Sequence, residues 1–233
     1  MGTTSLGDQA VELLARLVRL GCVNDLTADS GEEERAVEVL EDFFDGVPVS
    51  MERVSPHPGR TTLIVTVGAD ATAADGDGAG PLTLLGHTDV VPVDESKWTR
   101  DPFGAAVEDG VMWGRGTVDM LHLTASMAVV TREVARRAQR GDAPAHPLVF
   151  VAAADEEARG GFGVPWIGEN MAHLVPWDAA LSEMGGAHIY GRRGADSVVV
   201  VVGEKGAAQR RLHIRGDAGH GSVPLGRVSA VQM

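Results

Sequence analysis

The sequence predicts an α/β fold in which a sheet carries helices on both faces. Segments with helical spacing of apolar residues alternate with short β-branched or apolar runs. One of these runs, PLVFVAAA (147–154), is apolar throughout and bounded by Pro147 and Asp155, the pattern of a strand buried on both faces. No internal repeat and no low-complexity tract interrupts the alternation.

Each element follows from its own pattern. Leu6, Ala10, Val11, Leu14, Leu17 and Val18 recur at helical spacing, predicting an amphipathic helix over 6–20 that ends near Gly21. Ser30 with Glu33 three residues on is a capping-box signature. It predicts a second helix over 31–45 that carries Ala36, Val37, Val39, Leu40, Phe43 and Phe44. TTLIVTV (61–67) is β-branched and reads as a strand. GADATAADGDGAG (68–80) is a loop; its glycines precede a strand, so it is no dinucleotide fingerprint, and its DGDG is too short for a calcium loop. PLTLLG (81–86) is a short buried strand, and VMWGRG (111–116) a turn with an extended piece. Leu123, Met127, Val130, Val134 and Ala138 place a helix over 119–138. Further strands are expected at 147–154, 177–182, 196–203 and 207–216.

Composition narrows the function classes. The 233 residues are 44% hydrophobic and 23% charged, ordinary for a globular protein. The net charge of −13 excludes a non-specific nucleic-acid or anionic-membrane surface, both of which need clustered positive charge. No run is long enough to span a membrane, and the first residues have no basic segment before an apolar one, so no secretory signal is expected. Cys22 is the single cysteine, which excludes an internal disulfide or a cysteine-built metal site and fits a cytoplasmic protein.

Chemistry is concentrated at strand ends. PLTLLG runs into His87-Thr88-Asp89, PLVFVAAA into Asp155-Glu156-Glu157, and WDAALS into Glu183; Asp119 stands at the start of the long helix. In open α/β sheets, ligands bind beyond the carboxyl ends of the strands. Gathered there, these carboxylates would repel one another and remain unpaired unless one or two divalent cations neutralise them. Histidine plus carboxylates without a thiolate suits zinc, cobalt or manganese. Asp89, two residues beyond His87, is placed to orient the imidazole. Glu156 and Glu157 point to different sides, so one can bind metal while the other acts as general base toward an activated water.

The motifs GHTDVVP (86–92), WTRDPFGAAVEDGVMWGRGTVDM (98–120), DEE (155–157), SEMGG (182–186) and GEKGAAQRRLHIRGDAGHGSVP (203–224) together resemble the M20 metallopeptidases. The resemblance covers residues 5–233 and rests on five motifs in order. It implies a zinc-peptidase-like catalytic domain with a mixed sheet sandwiched by helices, over 1–203, and the start of a small α+β lid or dimerisation domain at 204–233. It implies two metal ions, zinc foremost with cobalt or manganese as alternatives. His87 would bind one ion, Asp119 bridge both, and Glu157 and Glu183 bind one each. Glu156 would be the general base and Asp89 the partner of His87. His220 would reach from the lid into a partner subunit's site in a homodimer. The substrate class would be a peptide or N-acyl amino acid.

Two local departures from the family pattern stand out. Leu121-His122 replaces the usual Lys-Gly after Asp119-Met120, and Met184 follows Glu183 where the family often has Gly-Gly directly. A further metal-binding histidine, which the family carries after its lid, is absent from these residues. The sequence thus reads as ending inside the lid, and an inactive fragment or a non-enzymatic binding relative is the alternative expectation.

Overall fold

The computed structural model describes residues 4–68, 80–184, 186–191, 196–203 and 212–217. His220, residues 69–79 of the expected loop, 207–211 of the last expected strand and most of the expected lid lie outside them.

Helix α1 spans Leu6–Leu20. The Ser5 hydroxyl accepts from the Asp8 amide, and the Asp8 carboxylate accepts from the Ser5 amide, so one side-chain pair satisfies donors at both cap positions. Gly21, at φ 57°, closes the helix in the left-handed conformation. Helix α2, Glu34–Phe44, is shorter than expected, and the capping box at Ser30 does not form. Glu33 faces inward to Arg60 instead, because a buried guanidinium outcompetes a helix-end amide for its carboxylate.

Strand β1 (Ser50–His57) has no counterpart in the sequence reading. Its pattern is mostly exposed and it contains Pro56, which the edge of a sheet tolerates. Strands β2 (Arg60–Val67) and β3 (Leu82–His87) follow, then the hairpin of β4 (Ala106–Glu108) and β5 (Val111–Trp113). Helix α3 covers Leu121–Gln139, β6 Leu148–Ala153, α4 Val164–Asn170 and β7 Ala180–Leu181. The expected strand at 177–182 is thus reduced to two residues. Of 196–203 only β9 (Ser197–Val198) is strand, paired antiparallel with β8 (His188–Ile189), and 212–217 are neither helix nor strand.

The main sheet has the order β1-β2-β6-β3-β7 and is mixed. The β1–β2 and β2–β6 pairs are antiparallel, while β6–β3 and β3–β7 are parallel. Every residue of β6 is buried, as its apolar run requires of a central strand. Alternation then sorts the side chains. Leu63, Val65, Leu84, Phe150 and Ala152 pack with α1, α2 and α3 on one face. Ile64, Val149, Val151 and Ala153 pack with Ile167 of α4 on the other. Cys22 lies in the first core, where burial pushes its thiol up to about 12 and leaves it unreactive.

Helix α3 is turned somewhat from the expected face: Met127 and Val134 pack at the margin of the core instead of at its centre. Val130 is exposed, and the buried stripe is Leu121, Thr124, Ala125, Ala128, Val129, Thr131 and Ala135. At Gly86 the helix lies close against β3, with Thr124 facing it. A Cβ on Gly86 would sit 2.6 Å from Thr124 Oγ1 and 3.3 Å from its Cα. Gly86→Ala should therefore destabilise the protein by about 1–3 kcal/mol. Chemical denaturation measures this, and a loss below a few tenths would show that α3 can retreat freely.

The chain divides into two compact units, Met1–Glu183 and Met184–Met233. The sheet, its helices and the site described next all belong to the first. Among the described residues, no helix is long and apolar enough to cross a membrane.

Candidate metal centre

The three parallel strands β3, β6 and β7 end on the same side of the sheet. His87 is the last residue of β3, Glu156 and Glu157 follow β6, and Glu183 lies two residues beyond β7. Asp119 precedes α3 by two residues, slightly outside the helix expected to start there.

These elements converge on one imidazole nitrogen. His87 Nε2 lies 3.4 Å from Asp119 Oδ1, 3.6 Å from Glu183 Oε2 and 3.8 Å from Glu156 Oε2. His87 is 2% exposed and forms the floor, whereas the Asp119, Glu156 and Glu183 side chains are 66%, 50% and 29% exposed and form the open rim. Ligand atoms of His87, Asp119 and Glu183 all lie within 4.8 Å of one another.

The donor set fits a divalent cation. His87 Nε2 is buried and has no hydrogen-bond partner, and neither has the buried Glu157 Oε1. His87 Nδ1 lies 2.9 Å from the Asp89 carbonyl and donates to it, which leaves the lone pair of the neutral ring on Nε2, directed at the carboxylates. Metal–ligand bonds of about 2.0–2.2 Å place tetrahedral ligands about 3.3–3.6 Å apart. The His87–Asp119 and His87–Glu183 separations match that edge length.

Electrostatics agree. Burial alone would lower the His87 pKa, but the hydrogen bond and charge of Asp89, with Glu156, carry it up to about 9. A surrounding that favours a proton at Nε2 favours a cation there, and metal binding displaces that proton. Burial raises Glu157 to about 7 against the pull of His87, with Asp119, Asp89 and Glu156 adding to the rise. Burial also raises Glu156, opposed by His87 and reinforced by Glu183, Asp89 and Asp119.

Asp89 is fully buried and serves both loops. Its Oδ1 lies 3.4 Å from His87 Nδ1 and accepts from the Glu156 amide at 3.2 Å. Its Oδ2 accepts from the Glu157 amide at 3.0 Å and from Asn24 Nδ2 at 2.8 Å. Burial pushes its pKa up, but the hydrogen bonds from His87 and Asn24 outweigh burial and hold the carboxyl below its usual range.

Behind this lies a polar layer that the sequence reading did not anticipate. Arg60, fully buried at the start of β2, is 2.6 Å from Glu33 Oε1 and 3.5 Å from Asp155 Oδ1. It also donates to the carbonyls of Ala28 and Thr27, to Ser30 Oγ and to Asn24 Oδ1. Asp155 adopts φ 62°, turning the chain so that Glu156 and Glu157 leave β6 toward the site. Its amide donates to Glu33 Oε1, and its Oδ2 accepts from the Phe162 amide. Gly31, at φ 85°, lets the loop wrap this cluster, since a Cβ there would strike the Arg60 guanidinium and the Glu33 carboxylate. One sequence signal was available: an arginine immediately before a β-branched run that becomes fully buried.

Arg115 does not join the carboxylates. It stacks over the Trp98 ring and donates to the Pro92 carbonyl. His220 lies outside the described residues.

Comparison with known proteins bears on the family and the fold. Residues 83–218, more than half of the chain, match Peptidase family M20/M25/M40. The fold resembles that of an M20 family metallo-carboxypeptidase, Sso-CP2, from Sulfolobus solfataricus, with a TM-score of 0.57 at 20% identity over 80% of this chain and 39% of that one. It also resembles human carnosine dipeptidase 1, with a TM-score of 0.53 at 18% identity over 78% of this chain and 41% of that one. The chain thus spans about two fifths of the length of each.

Proposed function

Because the chain belongs to peptidase family M20/M25/M40, we propose that the protein hydrolyses an amide bond of a peptide or N-acyl amino acid at a centre holding two divalent cations, zinc foremost. The observation that carries this reading is the convergence of Asp119, Glu156 and Glu183 on His87 Nε2 at the ends of three parallel strands.

His87, Asp119 and Glu183 would hold one cation. Asp119 would be shared with the second, which Glu157 would also bind through its unpartnered buried oxygen. Bound there, a divalent cation lowers the pKa of water and polarises a carbonyl. Glu156 takes the proton from the attacking water and delivers it to the leaving nitrogen. Its raised pKa makes it a stronger base than an ordinary carboxylate. Asp89 keeps the His87 ring oriented and pins the amides of Glu156 and Glu157, so base and ligand keep their places.

The sequence motif around His220 supports a lid over 204–233, following a catalytic part over 1–203. From a partner subunit in a homodimer, His220 would donate a hydrogen bond to the oxygen that gains charge as the carbonyl is attacked.

Removing divalent ions with a chelator should abolish hydrolysis of dipeptides and N-acetyl amino acids, and adding Zn2+ should restore it. Full activity in metal-free protein would overturn the reading.

A further inference from the structure

We infer that Asn24 is a positioning residue that fixes the spacing of the two ligand-bearing loops and so sets the cation affinity of the centre. This rests on the metal centre proposed above.

Asn24 is 1% exposed and uses both ends of its amide. Nδ2 donates to Asp89 Oδ2 at 2.8 Å and to Asp155 Oδ1 at 3.0 Å. Oδ1 accepts from the Leu26 amide at 3.1 Å and from Arg60 Nη2 at 3.4 Å. The surroundings allow only this orientation. Turned over, the amide would set its oxygen against two carboxylates and its NH2 against a guanidinium and a backbone N–H.

The backbone anchors the same side chain. Val23 bridges Val90, the Asn24 amide donates to the Val90 carbonyl, and the Val90 amide donates to the Cys22 carbonyl. Segment 22–24 is thereby fastened to the loop that carries Asp89 and directly follows His87 at the end of β3. From this mount Asn24 reaches Asp155, the residue before Glu156 and Glu157. One NH2 group therefore joins the loop after β3 to the loop after β6. It also donates to one oxygen of each of two buried carboxylates, Asp89 Oδ2 and Asp155 Oδ1, and so lowers the repulsion between them.

Loss of this tie lets Asp89 shift, and with it the His87 ring and the amides of Glu156 and Glu157. Partners hydrogen-bonded directly to a ligand change metal affinity by roughly 10- to 100-fold, and Asn24 acts one step farther out, through Asp89 and Asp155.

The test is Co2+ titration of the protein, following the visible absorption band and measuring affinity by competition with a chelator. Asn24→Ala should bind Co2+ roughly 10-fold more weakly, at the lower end of the range for direct partners of the ligands, with an altered band. Asn24→Ser, which keeps one donor, should show a smaller loss. Phe44→Ala, a cavity where the ring packs on Phe150, should lower stability and leave affinity and band unchanged. Folded Asn24→Ala with the parent's affinity and band overturns the inference. Should that variant fail to fold, parent-like binding by Asn24→Ser overturns it equally. A parent protein that binds no Co2+ overturns the metal centre and this inference with it, which separates the two failures.

Discussion

Glu156→Ala should lower turnover by about 10²- to 10⁴-fold while the protein keeps its divalent ions. The two halves of this expectation have separate grounds. Glu156 is the most distant of the three carboxylates around His87 Nε2, at 3.8 Å, and it is not in the compact group formed by His87, Asp119 and Glu183. Removing it leaves those ligand atoms in place. Its amide, which Asp89 holds, is backbone and survives the substitution. The catalytic half follows from the surroundings that raise its pKa: burial first, then Glu183, Asp89 and Asp119, against His87. A carboxylate in that setting accepts a proton from water more readily than an exposed one. Turnover numbers together with elemental analysis of the purified variant decide the matter. Near-parental turnover would sink the assignment of the base, and loss of the metal would make Glu156 a ligand instead.

Much of the centre was legible because its residues stand at strand ends, where an apolar run stops abruptly at a charged group. His87 after PLTLLG and Glu156-Glu157 after PLVFVAAA are marked by that change of character alone. The polar layer behind them was not legible, for a physical reason. Asn24, Glu33, Arg60 and Asp155 come from four separate segments, and each has an ordinary local explanation. Glu33 satisfies a capping-box pattern, yet a buried arginine claims it. Strand β1 was hidden for a related reason, since an edge strand carries polar residues and Pro56 without a continuous apolar face. The stripe of α3 differs because spacing alone picks out the large residues, whereas the close approach to Gly86 places Thr124 against the sheet, with Leu121, Ala125 and Val129 buried beside it.

Arg60→Met should destabilise the fold by about 3–5 kcal/mol, and the loss should be larger at about pH 8 than at about pH 5. Arg60 and Glu33 are both fully buried, and Asp155 nearly so. Methionine fills similar volume but leaves two carboxylates without their cation and strips donors from the Thr27 and Ala28 carbonyls. The pH dependence comes from Glu33. Burial pushes its pKa up to about 7 from the ordinary 4.5, with Asp89 adding to the rise and Arg60 opposing it. An acid whose folded pKa lies above its unfolded one holds its proton more tightly when folded. Stability contributed by that proton is present at low pH and is lost as pH rises through the window from 4.5 to about 7. Without Arg60 the folded pKa climbs further, so the window widens upward. At about pH 5 the variant's Glu33 can stay neutral, whereas at about pH 8 the fold must either bury an unpaired charge or hold a proton against solvent. Guanidinium denaturation at the two pH values measures the difference. Adding Glu33→Gln to the variant should recover part of the loss at the higher pH, because it removes the stranded charge. Equal losses at both pH values, or no recovery in the double variant, would show that Glu33 is not the group left stranded.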